Sequence, residues 1–309
     1  MREILLAKVI SFLKQNGFTV NSFIDSNSCF DLVARRNGLS LIIKVYSNID
    51  GVRPEQAEEL LKVGNAFNAM VLIIGEKTKK FVLKNGMTYE RYSIPVMNFS
   101  TFTSMLSSFS PYVKSFKGRG IVEINADKLR DKRKELQLSL EKLAERVGLA
   151  KESLYRFEHG ASTSLETAKK LEEVLKTDLI LEKNLLEEFY KSQLQKKKEL
   201  FGEKIRDEVL EKIHGMGLDL IELSHSPFKA VGSKKEYLII DKGKEKQELK
   251  KKALVLEKTK AVLDTHSLII TKKFDLSNIA STAVMKEEEL DSYKKIQELM
   301  AEVKKRENK

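Results

Sequence analysis

One stretch, Leu129 to Lys176, limits what this chain can fold into more than any other: LRDKRKELQLSLEKLAERVGLAKESLYRFEHGASTSLETAKKLEEVLK. Leu129, Leu136, Leu143, Ala144, Val147, Leu149, Leu154, Phe157, Leu165, Ala168, Leu171 and Leu175 recur at helical spacing, and turn signals repeatedly break the series. One long helix is therefore excluded, and four or five short helices around one small core are expected. Ser139 is placed to cap a helix through Val147, because its hydroxyl can accept from an otherwise unpaired backbone amide. Gly148 supplies the positive φ of a tight turn, and Ala144 is small enough to let the following helix cross closely. That helix reads as Ala150 to His159, with Leu154 and Phe157 inward and Lys151, Glu152, Ser153, Tyr155 and Arg156 outward. Gly160 ends it, and Thr163-Ser164-Leu165-Glu166 has capping-box spacing for the next helix.

The run of Ser139, Leu143-Ala144, Val147-Gly148 and the exit from Arg156 to Gly160 resembles the Cro and lambda-repressor family of helix-turn-helix domains. The resemblance implies double-stranded DNA as partner, with the second helix of the motif in the major groove. Lys151 and Arg156 are then the donors to guanine, supplemented by Ser153, Tyr155 and Glu152. Ser139 joins this set, and Lys132 and Arg133, with Lys128, Arg130 and Lys134 nearby, are placed to meet phosphates, which orient without specifying. Two positions depart from the family: Leu140 stands where Gln is common and Ala150 where Ser is common.

Composition frames these expectations. The 309 residues exceed one ordinary core, so two or three domains are expected. The chain carries 56 Lys+Arg against 45 Asp+Glu, a formal +11 spread along its length, which suits a polyanionic partner. A lone cysteine, Cys29, excludes an intrachain disulfide framework and any multi-cysteine zinc site. Apolar runs such as Val71 to Ile74 are too short to cross a membrane, and Met1-Arg2-Glu3 does not open a signal peptide, so a soluble, cytoplasmic protein is expected. No Walker loop, nucleophile elbow or dinucleotide fingerprint is present, and His159, His214, His225 and His266 lack metal-ligand spacing.

The N-terminal region reads as layered α/β: a helix over Ile4–Leu13 closed by Gly17, strands over Phe18–Phe23, Phe30–Arg35 and Leu39–Tyr46, a helix from Pro54 to Phe67, a buried strand over Val71–Ile74 and a last one near Ile94–Met97. With Asp31 on one strand and Lys44 on the next, this order resembles the restriction-endonuclease-like fold, which includes archaeal Holliday-junction resolvases. In such enzymes a helix Glu, a strand Asp and a Glu-x-Lys hold divalent metal, because hard cations need several oxygen ligands. Glu3, Asp31 and Lys44 match their places, but Ile42 replaces the acid of the Glu-x-Lys and cannot bind magnesium. The expectation is a retired nuclease fold, with no catalytic residues, metal or cofactor. Cleavage would require Glu55, Glu58 or Glu59 to fill the gap.

The C-terminal third reads as a diverged copy of the first. Val209–Leu220 parallels Val9–Val20, Phe228-Lys229-Ala230-Val231 parallels Phe30-Asp31-Leu32-Val33, and Leu238-Ile239-Ile240-Asp241 parallels Leu41-Ile42-Ile43-Lys44. Leu268–Ile270 and Val284-Met285 answer Leu72–Ile74 and Val96-Met97. The expected plan is multidomain: a degenerate nuclease-like α/β domain over 1–112, a flexible joint over 113–126, the helix-turn-helix domain over 127–180, a connecting helix over 181–202 and the second α/β domain over 203–309. The whole arrangement resembles archaeal helix-turn-helix regulators that carry this module mid-chain. A homodimeric, sequence-specific transcriptional regulator without enzymatic activity is expected, its outer domains serving dimerisation or effector contact. The alternative is a structure-selective DNA nuclease or junction binder built on the N-terminal fold.

Overall fold

The computed structural model describes residues 2–23, 28–107, 113–116, 119–181 and 204–308. Among them no helix is long and apolar enough to cross a membrane. The chain divides into two compact units, one of Met1–Ile73 with Phe189–Lys309, the other of Ile74–Glu188.

The first unit opens with α1 (Arg2–Gln15), which buries Leu5, Leu6, Val9 and Leu13 on one face. The helix ends at Gly17 (φ 76°), and the amide of Phe18 donates to the Leu13 carbonyl at 3.0 Å. An antiparallel meander follows of β1 (Thr19–Ser22), β2 (Leu32–Arg36) and β3 (Leu39–Asn48), with Val20 opposite Ala34 and Leu32 opposite Ile43. Arg36 pairs with Leu39 across Asn37-Gly38, whose φ angles of 47° and 80° are those of a type I′ hairpin turn. Pro54 opens α2 (Pro54–Ala66) at a position where its missing amide costs nothing. Gly64 is required in α2: a Cβ there would stand 2.1 Å from Val71 Cγ2, so only glycine lets the helix cross so close to β4 (Met70–Lys77).

The same unit holds a second α/β set: α8 (Glu208–Gly215), β10 (Asp219–Glu222), β11 (Ala230–Ser233), β12 (Tyr237–Lys242), α9 (Lys246–Leu263), β13 (His266–Thr271), β14 (Asn278–Ile279), β15 (Thr282–Lys286) and α10 (Ile296–Glu307). Its six-stranded sheet runs β10-β11-β12-β13-β15-β14. The register repeats that of the first set: Leu32 opposite Ile43 and Val33 opposite Ile42 are answered by Ala230 opposite Ile240 and Val231 opposite Ile239. Irregular bonds repeat as well. Asp31 N donates to Ile43 O at 2.9 Å and Lys229 N to Ile240 O at 3.0 Å, while Phe23 N to Asp31 O at 2.8 Å matches Leu223 N to Lys229 O at 2.7 Å.

The two sets pack on each other through reciprocal elements, α9 against β1 and β2, and α2 against β11. Phe30 and Phe228, both buried, lie 6.3 Å apart, and Phe67 meets Phe228 edge-on at 6.1 Å and Tyr237 at 5.6 Å. Fully burying each such ring is worth about 1.5–3 kcal/mol. Residues through Ile73 therefore group with the C-terminal third, whereas the sequence reading closed its first domain at 112.

In the second unit the end of β4 is followed, in sheet order, by β6 (Ile94–Met97), β5 (Met87–Arg91), β7 (Val113–Phe116), β8 (Arg119–Val122) and β9 (Thr163–Ser164). Within the first unit the order β1-β2-β3 is that of β10-β11-β12. The flexible joint expected over 113–126 takes another form in its described parts. Before it Phe99–Ser107 is a helix, α3, while β7 pairs with β5 and β8 with both β7 and β9. Low-complexity composition hid the β7–β8 pair, whose outer partners β5 and β9 lie farther away in sequence. The connecting helix expected over 181–202 falls outside the described residues except for Leu181.

Four helices complete this unit: α4 (Ala126–Glu135), α5 (Leu140–Val147), α6 (Lys151–Phe157) and α7 (Leu165–Leu175). Their core is Leu129, Leu143, Ala144, Leu154, Ala168, Leu171 and Leu175. Leu136, expected in that core, is 47 % exposed because α4 ends there and turns outward. The α7 cap is Ser164, which accepts from Thr167 N at 3.0 Å, and not a box starting at Thr163; Thr163 is taken by β-pairing with Val122.

Candidate nucleic-acid interface

The α5–turn–α6 corner is built by local chemistry. Ser139 accepts from Lys142 N at 3.1 Å and fixes the start of α5. Gly148 (φ 70°, ψ 41°) ends the helix in the left-handed region, and the amide of Leu149 reaches the Ala144 carbonyl at 2.8 Å. Ala150 opens α6 without a side-chain cap, the consequence of its departure from the family's Ser. The helix is shorter than the expected Ala150–His159, stopping at Phe157.

Burial sorts α6 by face. Leu154 is fully buried and Phe157 and Ser153 half-buried, whereas Lys151, Glu152, Tyr155 and Arg156 are exposed. Lys151 is ion-paired with Glu141 of α5. Their hydrogen bond, then their opposite charges, raises the lysine's pKa and lowers the glutamate's. A pair this exposed is open to exchange, so a phosphate or a guanine edge can replace Glu141. Arg156 has no ion pair among the described residues.

Sequence reasoning missed His159. Its ring stacks on Tyr155 with centroids 4.1 Å apart and planes at 33°, and its Nδ1 lies 2.7 Å from the Tyr155 carbonyl. A carbonyl only accepts, so Nδ1 carries the proton and Nε2 is the nitrogen left to meet a ligand. The signal was present in the i,i+4 spacing of Tyr155 and His159, which places both on one helical face.

The expected phosphate contacts divide. Lys132 is half-exposed and pairs with Glu135 at 2.7 Å, and Arg130 pairs with Asp127. Arg133 leaves the set. Its Nε and Nη2 donate to the buried Glu158 at 2.6 and 2.9 Å, and Nη1 donates to the Leu138 carbonyl at 2.9 Å. The hydrogen bond to Glu158 holds the guanidinium's pKa above its usual value. Arg133 thus ties α4 to the end of α6 and is committed to the fold; removing either partner should cost about 3 kcal/mol.

The N-terminal region brings Asp31 and Lys44 together but not Glu3, which is exposed on α1. Asp31 is fully buried: Oδ1 accepts from Arg2 Nη2 at 2.6 Å and Lys44 Nζ at 2.9 Å, and Oδ2 from Val45 N at 2.7 Å. Ile42 is fully buried in the sheet. Glu59, one of the acids able to fill the gap, is taken: it accepts from Ser224 N at 3.0 Å and from the His225 amide and ring. A hard divalent cation needs several free oxygens; this cluster offers one carboxylate already neutralised by two cations, so its residues do not fit a metal. Beside it, Cys29 is buried, and burial pushes its thiol far up, away from thiolate chemistry.

Comparison with known proteins finds two stretches of the chain that match family models. Residues 2–111 match the PD-(D/E)XK superfamily domain, and residues 129–181 match the helix-turn-helix family. A relative from Archaeoglobus fulgidus is 32% identical over 294 residues, covering 94% of both chains. One from Methanococcus vannielii is 32% identical over 313 residues, again covering 94% of each. Another from Methanocaldococcus jannaschii is 31% identical over 280 residues, covering 88% of this chain and 87% of its own. All three bear the provisional name of HTH-type transcriptional regulatory protein. No solved structure matches.

Proposed function

Because the chain belongs to this archaeal family of HTH-type transcriptional regulatory proteins, we propose that it is a sequence-specific DNA-binding regulator that lays α6 in the major groove. The observation that carries this reading is the split character of α6, anchored by Leu154 and presenting Lys151, Glu152, Tyr155 and Arg156 to solvent. Arg156 and Lys151 donate to base edges, Tyr155 and His159 form one stacked contact surface, and Lys132 meets phosphate. Ser139 acts by positioning α5. The C-terminal α/β set is a diverged copy of the N-terminal one, supported by the shared strand order and register. Neither copy cuts DNA: the first has cations where a metal would sit, and the second has Lys229 in place of Asp31.

The described residues hold one such reading helix, so a two-fold operator with half-sites about 34 Å apart calls for a homodimer. Selection of bound sequences from random duplex DNA, run with and without magnesium, tests the whole reading. One enriched motif and no cleavage are expected. Arg156→Ala should weaken that site by about 1–3 kcal/mol and relax the motif, while Lys132→Ala should weaken all sequences alike and lower the salt slope by about one. Magnesium-dependent cleavage abolished by Asp31→Ala would instead establish the nuclease reading.

A further inference from the structure

The two α/β sets differ at one equivalent corner, and the difference opens a cavity. Thr19 faces Arg35 in the first set and Asp219 faces Ser233 in the second, so the residues that follow, Arg36 and Lys234, correspond, as do Phe18 and Leu218. In the first set the corner is plugged. The Arg36 guanidinium lies 4.4 Å from the centre of the Phe18 ring, and Nη1 donates to the Asn16 carbonyl at 2.6 Å. In the second set the ring is replaced by Leu218 and the guanidinium by an ammonium, whose Nζ lies 3.1 Å from where a Cβ on Gly217 would stand. α10 then forms a wall of a cavity of about 300 Å³ above Leu218.

The lining selects its occupant. Leu218 and Ile296 are buried and, with Met300, make an apolar floor. Lys234, Lys235 and Lys304 stand around it with a single acid, Glu236. Lys304 neutralises Glu236 at 2.6 Å, and the hydrogen bond between them holds the Glu236 carboxyl below its usual pKa. Lys234 and Lys235 have no ion pair among the described residues. Two uncompensated ammonium groups over an apolar floor favour one negative charge on a small apolar body. A cavity this size lies at the lower end of ligand sites, too small for a dinucleotide, and the floor would be wasted on inorganic phosphate.

The geometry points to a binding site here for a small amphipathic carboxylate, taken up between the β11–β12 turn and α10. The site stands without the DNA reading, and its test needs no DNA. Octanoate is titrated into the full chain, followed by calorimetry and by the methyl resonances of Leu218, Ile296 and Met300, with octylamine and inorganic phosphate as probes of opposite charge and of charge alone. Octanoate should bind with a dissociation constant of about 1 mM or tighter and shift those methyls, and neither control should do so. Lys234→Glu with Lys235→Glu, both at exposed positions, should weaken octanoate about tenfold or more without changing the far-ultraviolet dichroism. Leu218→Phe with Lys234→Arg, which restores both parts of the first set's plug, should abolish the shifts of the Ile296 and Met300 methyls. Octylamine binding as well as octanoate, an unchanged affinity in the double variant, or no shift at saturating octanoate would each overturn the site.

Discussion

The two α/β sets share a register yet treat their buried charge in opposite ways. In the first, the carboxylate lies on the residue before β2, and Arg2, Lys44 and the amide of Val45 converge on it. In the second, the β2-side position is Lys229, which is exposed, and the carboxylate has moved to Asp241 on β12, where the first set has Lys44. Asp241 is 2 % exposed and, among the described residues, receives only Lys242 N at 2.8 Å and Lys252 Nζ at 3.2 Å, the lysine also being shared with Glu248. A buried carboxylate keeps its charge at low cost only where cations and amides of the chain converge on it. The first set satisfies that condition fully, and the second only in part.

The sharpest way to break this comparison is to delete both acids. Asp31→Ala leaves Lys44, 7 % exposed, with a buried charge and no counter-ion, and should cost about 3–5 kcal/mol in urea unfolding. Asp241→Ala should cost about 1–2 kcal/mol, because Lys252 keeps Glu248 and the Lys242 carbonyl as partners. Equal losses would mean that the two carboxylates are equally well held, and the asymmetry would be gone.

A second prediction concerns whether the sets are joined or merely adjacent. Glu59 of α2 carries two backbone amides of the other set, Ser224 and His225. Glu59→Ala strands both, at about 2–3 kcal/mol, while the exposed neighbour Glu58→Ala should fall within about 0.5 kcal/mol of the parent. Loss in both variants, or in neither, would show that the bonds between the sets carry no stability.

What the sequence disclosed follows from range. Ser139, Gly148 and Gly160 act on their own neighbours, so the α5–α6 corner was readable within a few residues. Short continuous apolar runs likewise marked β2, β3, β12 and β13, and even the correspondence of Lys44 with Asp241 was readable. Partners fixed by distant contacts were not readable. Arg133 looked like one more exposed cation until Glu158, 25 positions away, claimed it. Arg2 was passed over in favour of Glu3, although a shift of one residue on a helix turns a side chain by about 100°. α9 gave no local signal for the face it would cover, and the Ser- and Gly-rich stretch before α4 concealed β7 and β8.

The smallest effect is also the most selective. Burial raises the carboxyl of Asp241 above its ordinary value of 3.8, and attraction to Lys252 offsets only part of that rise. The folded chain therefore binds more protons than the unfolded chain between 3.8 and the raised value, and over that window stability falls as pH increases. The contribution is complete below 3.8 and lost as pH rises through the folded value. Asp241→Asn cannot titrate, so its stability relative to the parent should climb as pH increases through the window and then level off. Urea unfolding of both proteins from pH 3.5 to pH 7, at fixed ionic strength, measures the difference directly. A difference that stays flat, or runs the other way, would place Asp241 among well-compensated carboxylates and make the two sets alike after all.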